Sequence, residues 1–332
     1  DHGGRWISCR TSTLLARARC SRSLRTSTAP KIDDHKCIID VLPWIVSAYV
    51  EFSDGMQNIL ILGGTGKTGR RIARRLRAAG RPVRTASRSS GDIPIDLDDP
   101  ATWSAALDGV TAAYVVEPRR QPSTDGQAGI ARFVAEAVAA GVRRLVLLTA
   151  HGVDRLDGHP LKAAEEAVRG SGADWTILRP TWFSQNFSEG FWLSGILDGT
   201  LSLPTGDGRT PFVDAEDIAE VAAAALTDDR HSGQVYQLTG PRAISLGEAA
   251  DLIGRTTGRT IRHADLDPEA FVEHQVANGV PPAIARVFTG LFTAIRDGLA
   301  AEVSDGVQQA LGRPPKPFED YVAETAAAGH WN

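Results

Sequence analysis

Cysteine is nearly absent. The three residues Cys9, Cys20 and Cys37 all precede Met56, and none occurs among residues 56–332. A disulfide-stapled fold, a cysteine-based zinc site and a cysteine nucleophile are therefore excluded for that stretch. Methionine occurs once, as Met56, and tyrosine four times. No run of about 18 uncharged apolar residues occurs, so no membrane-spanning helix is expected. Neither sign of charge dominates: 36 Lys and Arg stand against 40 Asp and Glu, a formal net charge of −4. There is thus no basic excess to make nucleic acid the main partner. At 332 residues and 42% hydrophobic content, the chain is long enough to be held together by its own core, as one large domain or a domain with a small lobe.

The first 55 residues differ in kind from the rest. Residues 3–32 carry Arg5, Arg10, Arg17, Arg19, Arg22, Arg25 and Lys31 without one acidic residue, and are rich in Ser and Thr. That is the composition of an organellar transit peptide. The single methionine, two residues ahead of a strand pattern, favours the other reading: residues 1–55 are a non-native extension, and the protein is cytoplasmic. The apolar run Cys37–Val50 is expected to be peripheral. A chain shortened to begin at Met56 is expected to keep its stability and its ligand.

From Met56 onward, apolar runs and helical periodicities alternate. Strands are expected at 58–62, 82–87, 93–97, 111–116, 144–149 and 175–178. Helices fill the gaps at 69–79, 101–107, 126–140 and 161–169, two of them closed by Gly80 and Gly141. This order predicts a doubly wound parallel α/β sheet over residues 56–180, with right-handed crossovers. Residues 181–332 are expected to complete the sheet at 234–238 and to form a smaller, mainly helical lobe, with helices at 214–226, 245–257 and along the tail. Asp214 and Asp217 read as a helix cap and a first-turn acid.

Between the first strand and first helix stands Gly63-Gly64-Thr65-Gly66-Lys67-Thr68-Gly69. Gly63 permits a tight turn, Gly66 lets a pyrophosphate approach the backbone, and Gly69 lets the helix pack against the strand. The helix N-terminus then faces the anion, and Thr65 and Thr68 add hydroxyls. With a strand before it and a helix after, the loop predicts a Rossmann-type dinucleotide site. It is not a nucleotide-hydrolysing P-loop, because position 61 is Ile. An NAD site places an acid at the end of the second strand. Here stand Ser87-Arg88-Ser89-Ser90, and the first acid after the loop is Asp92. Arg88 and the serines suit a 2′-phosphate, so NADP(H) is expected ahead of NAD(H). Asp96 and Leu97 are expected to border the adenine and Glu117 the nicotinamide side, and Thr149 is expected among the cofactor-binding residues.

The glycine loop, the segment Thr176–Phe183 with Asn186, and Pro211–Ala219 resemble the NmrA-like branch of the atypical short-chain dehydrogenases. Within it, the loop, Thr181-Trp182-Phe183 with Asn186-Phe187, Thr205–Val213 and Gly312-Arg313-Pro314-Pro315 are similar to the ergot-alkaloid reductases and their bacterial relatives. The likeness covers nearly all of residues 56–332. It implies a reductase passing hydride to an imine or iminium, a quinone or a conjugated double bond. The same branch includes redox sensors that bind the cofactor without turnover, and that alternative stays open.

The familiar Tyr-x-x-x-Lys pair is missing. None of Tyr49, Tyr114, Tyr236 and Tyr321 has a lysine four residues on, and Gly158 stands four residues before Lys162. Alcohol–ketone chemistry by that pair is not expected, nor is sugar-nucleotide epimerisation. Lys162 is the candidate to hold the nicotinamide ribose. His151, just past the fifth strand, is a candidate proton donor, and His159 a weaker one. Trp182, Phe183 and Phe187, with Phe191 and Trp192, are candidates to wall a pocket for a flat aromatic or heterocyclic substrate. No metal site is expected, and nothing decides between monomer and homodimer.

Overall fold

The computed structural model describes residues 58–117, 124–155, 159 and 161–332. The Cys37–Val50 run and Gly158 lie outside the described residues.

The first half is built from β1 (Ile59–Leu62), α1 (Gly69–Ala78), β2 (Val83–Ser87), β3 (Ile93–Pro94), α2 (Trp103–Leu107), β4 (Ala112–Val116), α3 (Thr124–Ala139), β5 (Arg144–Leu148), α4 (Lys162–Arg169) and β6 (Asp174–Pro180). The second half adds α5 (Asn186–Glu189), α6 (Leu193–Leu197), β7 (Thr200–Leu203), β8 (Arg209–Thr210), α7 (Ala215–Thr227), β9 (Gln234–Leu238), β10 (Ile244–Ser245), α8 (Leu246–Thr257), β11 (Arg262–Asp265), α9 (Pro268–Ala277), α10 (Pro282–Arg296), α11 (Gly306–Leu311) and α12 (Phe318–Ala327).

Seven strands form one sheet in the order β3-β2-β1-β4-β5-β6-β9. Every pairing in it is parallel. Both faces are covered, so the strands are apolar on both sides. Leu60, Val115, Leu145, Leu147 and Ile177 pack under α3 and α4 with Ile130, Phe133 and Val168. Their neighbours Ile59, Ile61, Tyr114, Val146 and Leu178 pack on the other face against Ile72, Ile218, Ala222 and Leu226 of α1 and α7. β9 comes from the second half and pairs with β6, so residues 181–332 complete the same sheet.

The third strand is shorter than expected, ending at Pro94 rather than residue 97. Asp96 leaves the ladder because its own groups close a turn: its carbonyl accepts from Trp103 Nε1 at 2.7 Å, and its carboxylate accepts from Asp98 N at 3.0 Å. The sixth strand is longer, running to Pro180, because β9 pairs with it as far as Leu238. Asp214 caps α7 by accepting from Glu216 N at 2.7 Å. Asp217 does more than face a helix dipole. It is buried, accepts Lys316 N at 2.7 Å, and pairs with Arg313 at 2.8 Å. Burial raises its pKa despite these partners.

The lobe has its own aromatic core. Phe187, Trp192, Phe212, Phe292, Phe318, Tyr321 and Trp331 are all buried in one cluster. Two small sheets, β7 with β11 and β8 with β10, frame it.

Candidate functional site

The strand order reverses at β1 and β4, where β2 and β3 lie to one side and β5, β6 and β9 to the other. In open parallel sheets the crevice beyond the carboxyl ends of such strands takes ligands. The glycine loop leaves β1 at this point.

Its glycines have steric reasons to be there. A Cβ on Gly69 would lie 2.2 Å from Gly63 O and 2.8 Å from Gly64 Cα, and one on Gly64 would lie 2.5 Å from Thr85 Cβ. Gly63 has φ +62°, the left-handed region that glycine enters freely. Gly66 is different: it is exposed, and an added Cβ would meet only Gly63 O, at 3.1 Å. Thr65 is exposed beside it. The backbone N–H groups of Thr65 and Thr68 find no acceptor among the described residues. A turn with an exposed glycine and backbone N–H groups left without acceptors at a helix start fits a pyrophosphate. Thr68 Oγ1 is turned inward, 2.8 Å from the Tyr114 hydroxyl. Lys67 points away from the cradle: its Nζ donates to Asn186 Oδ1 at 2.8 Å and sits 5.8 Å over the Phe191 ring.

At the end of β2, Ser90 N donates to Ser87 Oγ at 3.0 Å, and Ser90 Oγ lies 3.4 Å from Thr65 Oγ1. The two loops therefore meet. Arg88 is exposed and makes no hydrogen bond or ion pair among the described residues. Asp92 Oδ2 accepts from Thr85 N, Thr85 Oγ1 and Arg77, at 2.8, 2.8 and 2.6 Å. The Thr85 N–H bond leads in holding its pKa below the usual carboxylate value. Leu97 is buried in the core, so its side chain offers an adenine little surface.

Beyond β4 and β5, Glu117, His151 and Lys162 are half-buried and Thr149 is buried. The His151 N–H donates to Pro180 O at 2.9 Å. Neither ring nitrogen is in hydrogen-bonding geometry. Burial, reinforced by Arg155, lowers the imidazole pKa and favours its neutral form. His159 is also lowered by burial, and its Nδ1 accepts from Leu161 N at 3.1 Å. Each described tyrosine is buried and bonded to a neighbour, Tyr114 to Thr68, Tyr236 to His231 and Tyr321 to Ser188. None is placed as a proton donor.

The aromatic segment divides. Trp182 and Phe183 are half-buried and Phe191 is 56% exposed. Trp182 stacks against both Trp192 and Phe292, at 5.4 and 5.5 Å between centroids, and Phe191 meets Phe288 at 5.9 Å. Phe187 departs from its expected place on a pocket wall. It has no exposed surface and is enclosed by Trp192, Phe212 and Phe318. It is packing beneath the wall.

Two features escaped sequence reasoning. One is an ionic seam from α1 to the lobe. Arg71 bonds Lys67 O, Glu189 and Glu216, Arg74 and Arg75 bond Glu216, and Arg70 pairs with Glu189. Burial opposes charge on Glu189, but Arg71 and then Arg70 outweigh it and lower its pKa. The five arginines of one helix, four of them in this seam, were the available signal. The other is a buried cluster of Glu165, Arg179 and Thr149, whose members are up to 30 residues apart in sequence and carried no pattern. Among the described residues no cluster suits a metal ion, and no helix is long and apolar enough to cross a membrane.

The fold and the loop define a dinucleotide-binding protein of Rossmann type. Residues 63–229 match the family described as NAD(P)H-binding, and the chain belongs to it. It is 36% identical to the (4-alkanoyl-5-oxo-2,5-dihydrofuran-3-yl)methyl phosphate reductase of Streptomyces griseus, covering 81% of this chain and 98% of that one. It is 32% identical to the festuclavine dehydrogenase of Aspergillus fumigatus, over 81% and 98%. That meets the expected resemblance to ergot-alkaloid reductases. Among solved structures, the Citrobacter sp. triphenylmethane reductase complexed with NADP(H) superposes with a TM-score of 0.69, at 22% identity, over 81% and 99%. It shares the fold.

Proposed function

We propose that the protein is a cytoplasmic, NADPH-preferring reductase that passes hydride to a flat aromatic or heterocyclic acceptor, an iminium, a quinone or a conjugated double bond. Membership of an NAD(P)H-binding family with reductases among its relatives supports the reaction class. One observation carries the cofactor preference: Asp92, the first acid after the loop, turns Oδ2 back onto Thr85 and Arg77, while Arg88 is exposed and unpaired among the described residues. A guanidinium is thus on offer to a 2′-phosphate, beside an acid whose bonds face back into its own loop.

In this reading Gly63–Gly69 cradle the pyrophosphate, Ser87 and Arg88 take the 2′-phosphate, Asp96 and the Leu97 backbone border the adenine, and Glu117, Thr149 and Lys162 meet the nicotinamide half. The bound cofactor supplies the hydride. Trp182, Phe183 and Phe191 present ring faces that orient a planar acceptor and exclude water. Among the described residues no tyrosine is placed to give a proton, which suits acceptors that are already electrophilic or leave a stabilised anion. His151 is the candidate to pass a proton to the product when in its protonated form, which burial disfavours, so solvent supplies the proton otherwise.

The test is NADPH and NADH titration of the protein and of Arg88→Ala, followed by a panel of quinones, cyclic iminium ions and azo dyes. Tight NADPH binding weakened in the variant, with turnover of at least one acceptor, is expected. Tight binding without turnover, and sharply different affinities for oxidised and reduced cofactor, would instead make this a redox sensor.

A further inference from the structure

Glu165 and Arg179 are among the least exposed charged side chains of the described residues, at 3% and 6%. Arg179 grips the carboxylate with both arms of its fork, Nε to Oε1 at 2.9 Å and Nη2 to Oε2 at 2.6 Å. Its remaining nitrogen, Nη1, pairs with Asp154 at 2.7 Å. Glu165 Oε1 also accepts the Thr149 hydroxyl, at 2.9 Å. One guanidinium thus joins three segments: the end of β5 with Thr149, the following loop from His151 to Asp154, and α4, which carries Lys162 one turn before Glu165. These segments bear the residues read above as holding the nicotinamide half. No core-packing need explains an ion pair here, because apolar side chains fill such space at no desolvation cost.

The hydrogen bonding also sets a direction. A carboxylate held by arginine has no proton to give, so Thr149 must be the donor in its bond to Glu165. Its single proton is spent there. Toward any ligand the Thr149 oxygen then offers lone pairs alone, and it cannot act as an acid toward the acceptor.

We propose that Glu165 and Arg179 are positioning residues for the nicotinamide half of the cofactor, locking Thr149 as a hydrogen-bond acceptor and holding it in register with Lys162. The assignment rests on the reductase reading of the site. It concerns one half of the dinucleotide, and that makes it separable from the fold. Adenosine 2′,5′-bisphosphate carries the phosphate and adenine features of NADPH and lacks the nicotinamide.

The experiment measures affinity for NADPH by fluorescence titration and for adenosine 2′,5′-bisphosphate by competition, on the full chain, with melting curves and steady-state kinetics alongside. Thr149→Val removes the hydroxyl without stranding a charge. Replacing the pair together, Glu165→Met with Arg179→Met, removes both charges at once and avoids leaving either one buried alone. Each variant is expected to bind NADPH about tenfold more weakly, a single hydrogen bond's worth. Bisphosphate affinity should hold within twofold, and kcat should fall while the acceptor KM stays. Thr149→Ser, which keeps the hydroxyl, should restore NADPH affinity.

Equal weakening of NADPH and bisphosphate would make the cluster merely structural and overturn the proposal. So would unchanged NADPH affinity in both variants, which would leave the reductase reading standing. A wild-type protein that binds no NADPH would overturn that reading, and the assignment with it.

Discussion

Two glycines three residues apart in one loop should fail in different ways when given a methyl group. At Gly69 the new Cβ would sit 2.2 Å from Gly63 O, 2.8 Å from Gly63 C and 2.8 Å from Gly64 Cα. All three are backbone atoms of a turn already held by Gly64 N to Ala86 O and Gly66 N to Gly63 O. No rotamer change relieves the clash, so α1 must move off the sheet or the turn must open. Overpacking of this kind costs about 1–3 kcal/mol, a fall of roughly 3–10 °C in melting temperature for a domain of this size. At Gly66 the Cβ meets one atom at 3.1 Å and otherwise open space, so Gly66→Ala should stay within about 1 kcal/mol of wild type. Its methyl stands where the cradle is bare. Losing one hydrogen bond to a charged phosphate costs about 1.5–3 kcal/mol, a tenfold or greater loss of NADPH affinity. Gly80→Ala is the control. It has φ +72° with nothing within 4 Å, so strain of about 1 kcal/mol is expected with no change in affinity. Differential scanning calorimetry and NADPH titration on the three variants separate the effects. The reasoning is refuted if Gly66→Ala binds NADPH like wild type, or if Gly69→Ala melts like wild type.

Other outcomes follow from the same geometry. Arg88→Ala should weaken NADPH about tenfold to a hundredfold and leave NADH within twofold, since a charge-assisted bond to the 2′-phosphate is lost; equal losses for both cofactors would refute the 2′-phosphate role. Phe187→Ala should destabilise by about 3–5 kcal/mol in urea melts, as a fully buried aromatic side chain, whereas Trp182→Ala should raise the acceptor KM at smaller cost in stability. His151, His159 and His231 all have pKa values lowered chiefly by burial. A depressed folded-state value means stability that is present above the unfolded value of 6.5 and lost as pH falls through it. Melting temperature should therefore drop between pH 7.5 and 5.5, with 1%-exposed His231 contributing up to about 1.4 kcal/mol per pH unit; a flat profile would contradict it. Glu189→Gln should loosen the α1 seam and raise acceptor KM in kinetic assays, because Arg71 loses its 2.6 Å partner beside the aromatic wall.

Much of this protein was legible before any fold was seen, where the signal is local. Ile59–Leu62 followed by Gly63–Gly69 and then by Ile72 and Leu76 carries strand, turn and helix in contiguous periodicity. The sheet then follows from repetition of that unit, since parallel strands need covered faces and right-handed crossovers. The Ser87–Ser90 stretch likewise speaks for itself, as a basic turn where an NAD site would carry an acid. The end of the third strand was misjudged because apolar character continues through Leu97 while Asp96 spends its polar groups on a turn with Trp103 and Asp98. Competition between side-chain and ladder bonding has no period to detect.

Tertiary structure alone decided the rest. Phe187 and Phe191 are four residues apart in one aromatic run. Whether a ring lines a pocket or fills a core depends on Phe212, Phe318 and Phe288, which arrive from far along the chain. Asp92 stands near Arg88 in sequence, yet only folding turns its Oδ2 back onto Thr85 and Arg77. Arg179 looks like an ordinary charged residue of a strand until Glu165, Asp154 and Thr149 converge on it. Periodicity records which face of an element is buried. It carries no record of which distant partner a buried charge will find, because that pairing is set by packing in three dimensions.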